Sequence, residues 1–143
     1  IFLNGNNEDL TQIKNTLMKK NVNLIIFDTE YDPFNLNDFN LNDSYVVFSG
    51  IGNHATFIDM LNKNKFNIIQ DIEFPDHYEY SEDDIKKIIQ LATKNNAKIL
   101  TTEKDYLRLE KFRNKDIKYI KVQLKIKDTE RLKKLLDKLH ESY

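Results

Sequence analysis

Apolar runs of strand length recur along the chain at residues 1–4, 23–29, 45–49, 66–72, 98–101 and 117–124, and most of the stretches between them change to a helical period. Leu10, Ile13 and Leu17 share one helical face behind Asn7, a residue type suited to an N-cap. Phe57, Met60 and Leu61 mark a second helix, entered from the third run through Gly50-Ile51-Gly52. Ile85, Ile88, Ile89 and Ala92 follow the i, i+3, i+4, i+7 pattern, with Ser81 in the capping position and Asp84 at the acidic place of a capping box. Leu132, Leu135, Leu136 and Leu139 repeat the period after Asp128.

Strands alternating with helices across short turns predict βαβ units, and so an α/β fold with a mostly parallel sheet flanked by helices. Residues 23–29 and 45–49 are almost continuously apolar, the pattern of strands covered on both faces. Residues 30–43 read as one long loop, in which Asn35, Asn37, Asn40 and Asn42 surround Leu36, Phe39 and Leu41 tucked onto the surface. The opening Ile1-Phe2-Leu3-Asn4-Gly5 has no initiator Met and no polar lead-in. It reads as a strand already in progress, in a piece of a longer protein.

Composition narrows the functional classes. A length of 143 residues suits one domain, 1–143, around one core. Twenty-two Lys and Arg against 23 Asp and Glu leave a net charge of -1, which argues against a protein that grips a nucleic-acid backbone. The aromatic residues do not alternate with basic ones, so they form no stacking platform. The absence of cysteine removes disulfides, Cys-ligated zinc and a thiol nucleophile. No apolar run approaches the roughly 18 residues of a membrane span, so this stretch is expected to be soluble. Arg131, Lys133, Lys134 and Lys138 read as the wet face of the terminal helix or as a face toward anionic headgroups, and His140 as a solvated residue near its end.

Ligands of open α/β sheets bind beyond the carboxyl ends of the strands, which directs attention to four segments. Asp28 and Glu30 stand one residue apart at a strand end, a spacing that can hold a divalent metal in a nuclease-like site, with His54 and Asp59 imitating a second motif. Asp28 and His54 are too close in sequence for that fold, and a strand ending in a polar turn is the plainer reading of the pair. Gly50-Ile51-Gly52-Asn53-His54-Ala55 fits G-x-G-x-x-A between a strand and a helix, with Asp71 near the end of the next strand. It would suit a nucleotide pyrophosphate, or a tight turn with no ligand.

Phe74-Pro75-Asp76-His77-Tyr78 presents a histidine beside a carboxylate, a pair able to relay or orient a proton, though an exposed turn histidine is also ordinary. Thr101-Thr102-Glu103-Lys104-Asp105, with Arg108 one turn on, suits an anion at a helix N-terminus or, as the plainer reading, a Thr102 N-cap with acids in the first turn.

Taken in order, Phe48-Ser49-Gly50-Ile51-Gly52-Asn53, Phe57, Phe74-Pro75-Asp76-His77, and Thr101-Thr102-Glu103-Lys104-Asp105 with Arg108 resemble the C-terminal half of the tetraacyldisaccharide 4'-kinases, the lipid A 4'-kinases of Gram-negative bacteria. The pattern departs at His54, where a proline is expected after the glycine turn. The resemblance implies a P-loop kinase at the cytoplasmic face of the inner membrane, peripherally attached. With Mg2+, it would move the γ-phosphate of ATP to the 4' hydroxyl of an acylated disaccharide 1-phosphate.

It also implies that His77 lies at the catalytic cleft and assists an aspartate base from the N-terminal half, with Asp76 as its orienting neighbour. Gly50, Gly52, Asn53, Thr101, Thr102, Glu103, Lys104, Asp105 and Arg108 are then substrate-binding or turn-forming positions. The chain contains no G-x-x-x-x-G-K-[ST]. ATP and Mg2+ would therefore be held mainly by the N-terminal P-loop half, and this stretch would hold no metal and be inactive alone.

Overall fold

The computed structural model describes residues 1–4, 7–112 and 115–140. They divide into two compact units, one of Pro33–Val122 and one of Ile1–Asp32 with Gln123–Tyr143.

The larger unit is organised by β3 (Ser44–Ser49), whose apolar run Tyr45-Val46-Val47-Phe48 is buried throughout. Alternating side chains on a strand point to opposite faces, and each face has its own core. Tyr45 and Val47 join Phe57, Met60 and Leu61 of α2 (His54–Lys63), together with Phe39, Phe66, Leu100 and Ile120. Val46 and Phe48 join Ile85, Ile88 and Ala92 of α3 (Glu82–Lys94), together with Tyr80, Ile99, Leu109 and Ile117.

The sheet runs in the order β4-β3-β5-β6, with β4 at Asn67–Glu73, β5 at Lys98–Thr102 and β6 at Ile117–Ile120. All three of its ladders are parallel. After β3 the chain moves outward to β4, whereas after β5 it passes through α4 (Glu103–Arg108) to β6 on the opposite edge. The carboxyl ends of β3 and β5 therefore border the point where the strand order reverses, the usual ligand crevice of an open parallel sheet.

The helix starts follow local chemistry. Ser81 caps α3 in a reciprocal capping box with Asp84, Asn53 caps α2 by accepting from the Thr56 N–H, and Thr102 caps α4 by accepting from the Asp105 N–H.

The second unit holds β1 (Phe2–Asn4), β2 (Phe27–Pro33) and β7 (Val122–Ile126) in the order β1-β2-β7, with α1 (Asn7–Lys20) and α5 (Thr129–His140). β1 and β2 are parallel, with Phe2 opposite Phe27. The helical stripes here are only partly covered: Leu10 is buried, Leu132 and Leu135 are half-buried, and Ile13, Leu136 and Leu139 are exposed. The Asn7 side chain, expected as a cap, lies outside the described residues.

Three expectations about boundaries need correction. The second strand starts at Phe27, not at residue 23, because the ladder with β1 begins at Phe2. It continues to Pro33, so the expected loop is shorter. That loop carries a 3-10 turn at Leu36–Asp38, and Phe39 is buried in the core, not tucked onto the surface. The run 117–124 is two strands interrupted at Lys121, whose N–H donates to the Asn35 side chain at 2.8 Å and so leaves the ladder. The Asn35 amide also donates to the Tyr119 carbonyl, pinning the loop across a sequence gap that no local pattern reveals.

Candidate functional site at the ends of β3, β4 and β5

Gly50 directly follows β3, and its peptide groups are gripped from three directions. Its N–H donates to Asp105 Oδ2 at 3.1 Å. Its carbonyl accepts from Arg108 Nη1 at 2.9 Å and from the His77 N–H at 3.2 Å. A Cβ at this position would stand 3.0 Å from the Tyr80 hydroxyl and 3.2 Å from both the Pro75 carbonyl and Tyr78 Cβ, so the close approach needs glycine. At Gly52 a Cβ would meet Asp76 Oδ2 at 3.2 Å.

The segment after β4 folds over this turn. The Phe74 N–H donates to the Ser49 carbonyl, and the Tyr78 N–H closes a turn on the Pro75 carbonyl. Phe74, Tyr78 and Tyr80 pack ring on ring, and Phe48 beneath them contacts Phe74 and Tyr80. Between Pro75 and Tyr78, His77 takes a left-handed backbone at φ 60°, a conformation uncommon for residues other than glycine and held here by neighbouring bonds. Its N–H is shared between the Gly50 carbonyl and Asp76 Oδ1, the latter at 2.9 Å. The imidazole is 72% exposed, and its Nε2 lies 3.7 Å from Asp76 Oδ2.

The segment after β5 supplies the support. Asp105 is fully buried, and its carboxylate accepts from the Gly50 N–H, from Thr102 Oγ1 at 2.7 Å and from Arg108 Nη1 at 3.1 Å. A buried carboxylate is tolerable only with such a complete set of donors. Burial, reinforced by the Asp105 carboxylate, pushes the Tyr80 phenol far above its ordinary range. Thr101 is buried as well, with its hydroxyl donating to the Phe48 carbonyl at 2.7 Å. Glu103 and Lys104 point outward and are exposed. Within the Thr-Thr-Glu-Lys-Asp stretch, then, Thr101, Thr102 and Asp105 bind parts of the fold. Arg108 extends from Asp105 to the surface, where its Nη2 lies 3.1 Å from His77 Nδ1.

The remaining predicted residues separate from this cluster. His54 is buried, with Nδ1 2.6 Å from Ser49 Oγ and Nε2 3.2 Å from Asp71 Oδ2. It links two strands, and sequence reasoning missed that role. Gly52, Asn53 and His54 border an open cleft that also carries Asp59, Asp71 and Glu73. Three carboxylates, with Asp76 close against Gly52, make a poor seat for a pyrophosphate.

Asp28 is paired with Lys14 Nζ at 2.6 Å and Glu30 with Lys127 Nζ at 3.8 Å, and both lie inside β2, not at the strand end expected from the sequence, because the strand runs on to Pro33. Among the described residues no group of three or more His, Asp or Glu is placed to hold a metal ion, and no helix is long and apolar enough to cross a membrane.

The comparisons agree with the family resemblance. A solved structure of LpxK from Aquifex aeolicus, described as an apo form in complex with ATP, superposes over 96% of this chain and 50% of its own, with a TM-score of 0.51 at 18% identity. That likeness concerns the fold. A tetraacyldisaccharide 4'-kinase of Pelagibacter ubique is 49% identical over 141 residues, which is 99% of this chain and 45% of the relative. One from Rickettsia typhi is 36% identical over 120 residues, or 82% of this chain and 35% of the relative. The chain thus spans less than half the length of these curated relatives. A family model described as tetraacyldisaccharide-1-P 4'-kinase matches residues 4–141, and the chain belongs to that family, the LpxK phosphotransferases of lipid A synthesis.

Proposed function

We propose that residues 1–143 are the C-terminal portion of a lipid A 4'-kinase and form the acceptor side of its cleft. The observation that carries this reading is the convergence of three motifs on the Gly50 peptide: the glycine turn itself, the His77 main chain and the Asp105–Arg108 pair. It lies at the strand-order reversal where an open parallel sheet takes its ligand.

In the whole enzyme the 4' hydroxyl oxygen of the acylated disaccharide 1-phosphate attacks the γ-phosphorus of ATP. The bond from that phosphorus to the ADP oxygen breaks, and the hydroxyl proton passes to an aspartate base of the N-terminal half. His77, carried outward by its turn and flanked by Asp76, assists that base. Thr101, Thr102 and Asp105 set the height of the turn. The nucleotide and its magnesium ion would be held mainly by the P-loop half. The enzyme would work peripherally at the cytoplasmic face of the inner membrane, where its acylated substrate lies.

The test is His77→Ala in the full-length enzyme. Turnover is expected to fall about 10²–10⁴-fold, the usual cost of losing a proton-handling group, with little change in the KM for ATP. Unchanged turnover would remove His77 from the chemistry. Phosphoryl transfer by the 143-residue chain alone would overturn the division of labour.

A further inference from the structure

The contacts of Arg108 carry a consequence for the protonation of His77. A guanidinium carries only donors and stays charged at every accessible pH, so any ring nitrogen it meets must be an acceptor. Arg108 Nη1 has two hydrogens, and two acceptors take them, the Gly50 carbonyl at 2.9 Å and Asp105 Oδ1 at 3.1 Å. The planar fork then fixes the direction of Nη2, which meets His77 Nδ1 at 3.1 Å. The imidazole is anchored from its other end, because the His77 N–H is held by Gly50 and Asp76 and the backbone is set at positive φ. The proton of neutral His77 therefore resides on Nε2, the nitrogen on the side of Asp76.

We propose that Arg108 is a positioning residue for His77, locking its imidazole as the Nε2–H tautomer so that the site receives a hydrogen-bond donor and not a base. The inference deepens the kinase reading and rests on it for its catalytic meaning. A donor at this place orients and holds a carboxylate that takes the hydroxyl proton, and His77 itself takes none. Asp105 is in turn what keeps the guanidinium in line, through a bond to a carboxylate with no exposed surface.

Two measurements on the intact protein decide it. In nitrogen NMR of 15N-histidine-labelled protein at mildly alkaline pH, the resonances absent from His77→Gln identify the ring. Nδ1 is expected in the unprotonated range and Nε2 in the protonated range. Arg108→Lys keeps a positive charge beside Asp105, but a single nitrogen cannot serve Gly50, Asp105 and His77 together, so the His77 signals should move toward a mixture of tautomers. Arg108→Ala should move them further.

In kinase assays Arg108→Lys should lower kcat about 10- to 100-fold with the KM for ATP unchanged, as expected for a misplaced orienting group. His77→Gln, whose amide N–H can stand in for Nε2–H, should keep at least about tenfold more turnover than His77→Ala. A proton on Nδ1 in the wild type, tautomer signals unmoved in both Arg108 variants, or Gln and Ala equally impaired would each overturn the proposal. Absence of kinase activity in the intact wild type would instead overturn the kinase reading, and the tautomer signals would still decide the role of Arg108.

Discussion

Adjacent residues at the end of β3 are tied to two different polar clusters. Gly50 belongs to a charged one, in which buried Asp105 collects three donors and Arg108 runs outward to an exposed imidazole. Ser49 belongs to a short histidine link, in which His54 joins the Ser49 hydroxyl to Asp71 of the neighbouring strand. Both satisfy buried polar atoms, but they differ in where they end. The Asp105 cluster gathers the three motif segments and ends on the exposed imidazole of His77. The His54 link ends on Asp71, in an acidic cleft that suits no phosphate.

The sharpest way to break this contrast is Asp105→Ala. It leaves Arg108 without its carboxylate and the Gly50 N–H without its acceptor. Removing one member of a buried pair costs about 3–5 kcal/mol, so a large loss of stability is expected in chemical denaturation. A loss below about 1 kcal/mol would show that the cluster is not a unit.

His54→Pro probes the other cluster with a milder change. His54 follows the Asn53 cap as the first residue of α2, a position where proline fits the backbone and gives up no helical hydrogen bond. The proline expected there from the family resemblance is thus compatible with this backbone. The gain of about 0.4–1 kcal/mol from stiffening is set against about 1–3 kcal/mol for the stranded Ser49 hydroxyl. A net loss of about 1 kcal/mol is expected, with kinase turnover unchanged within about twofold. A tenfold fall in turnover would erase the distinction between the clusters.

The smallest effect concerns Asp84, the half-buried counterpart of Asp105 at the start of α3. Bonds from the Ser81 hydroxyl and N–H hold its carboxyl below the ordinary value, with a further contribution from the Tyr78 hydroxyl. A lowered carboxylate stabilises the fold fully above its unfolded value and loses that contribution as pH falls through the folded value. The Tm advantage of wild type over Asp84→Asn should therefore be complete at neutral pH and vanish in acid. An advantage that persists in acid would assign it to packing.

The sequence made some of this legible for identifiable reasons. Ser81 with Asp84, and Thr102 with Asp105, are contacts three residues apart, and such local pairs can be read directly. The alternation of Tyr45 and Val47 against Val46 and Phe48 is likewise written in the strand. The Gly50–Asp105 bond spans 55 positions and the Arg108–His77 contact 31, so only the fold brings those partners together. His54 looked anomalous because its partners are set by strand register, not by spacing. The break at Lys121 was hidden because the competing acceptor, Asn35, lies 86 positions away.

The division of the chain also bears on the order in which the protein forms during synthesis. The unit Pro33–Val122 is one continuous segment, so everything it needs is in hand once Val122 has left the ribosome. The other unit draws on both sides of that segment, and β2 must wait for β7, about 90 residues later, to complete its sheet. Such closure is slow relative to local contacts, because the ends of a long loop must first be brought together. The strand edge of β2 and the apolar face of α1 thus pass through a window of exposure that Pro33–Val122 escapes, and that window is where chaperone engagement or aggregation of nascent chains would concentrate.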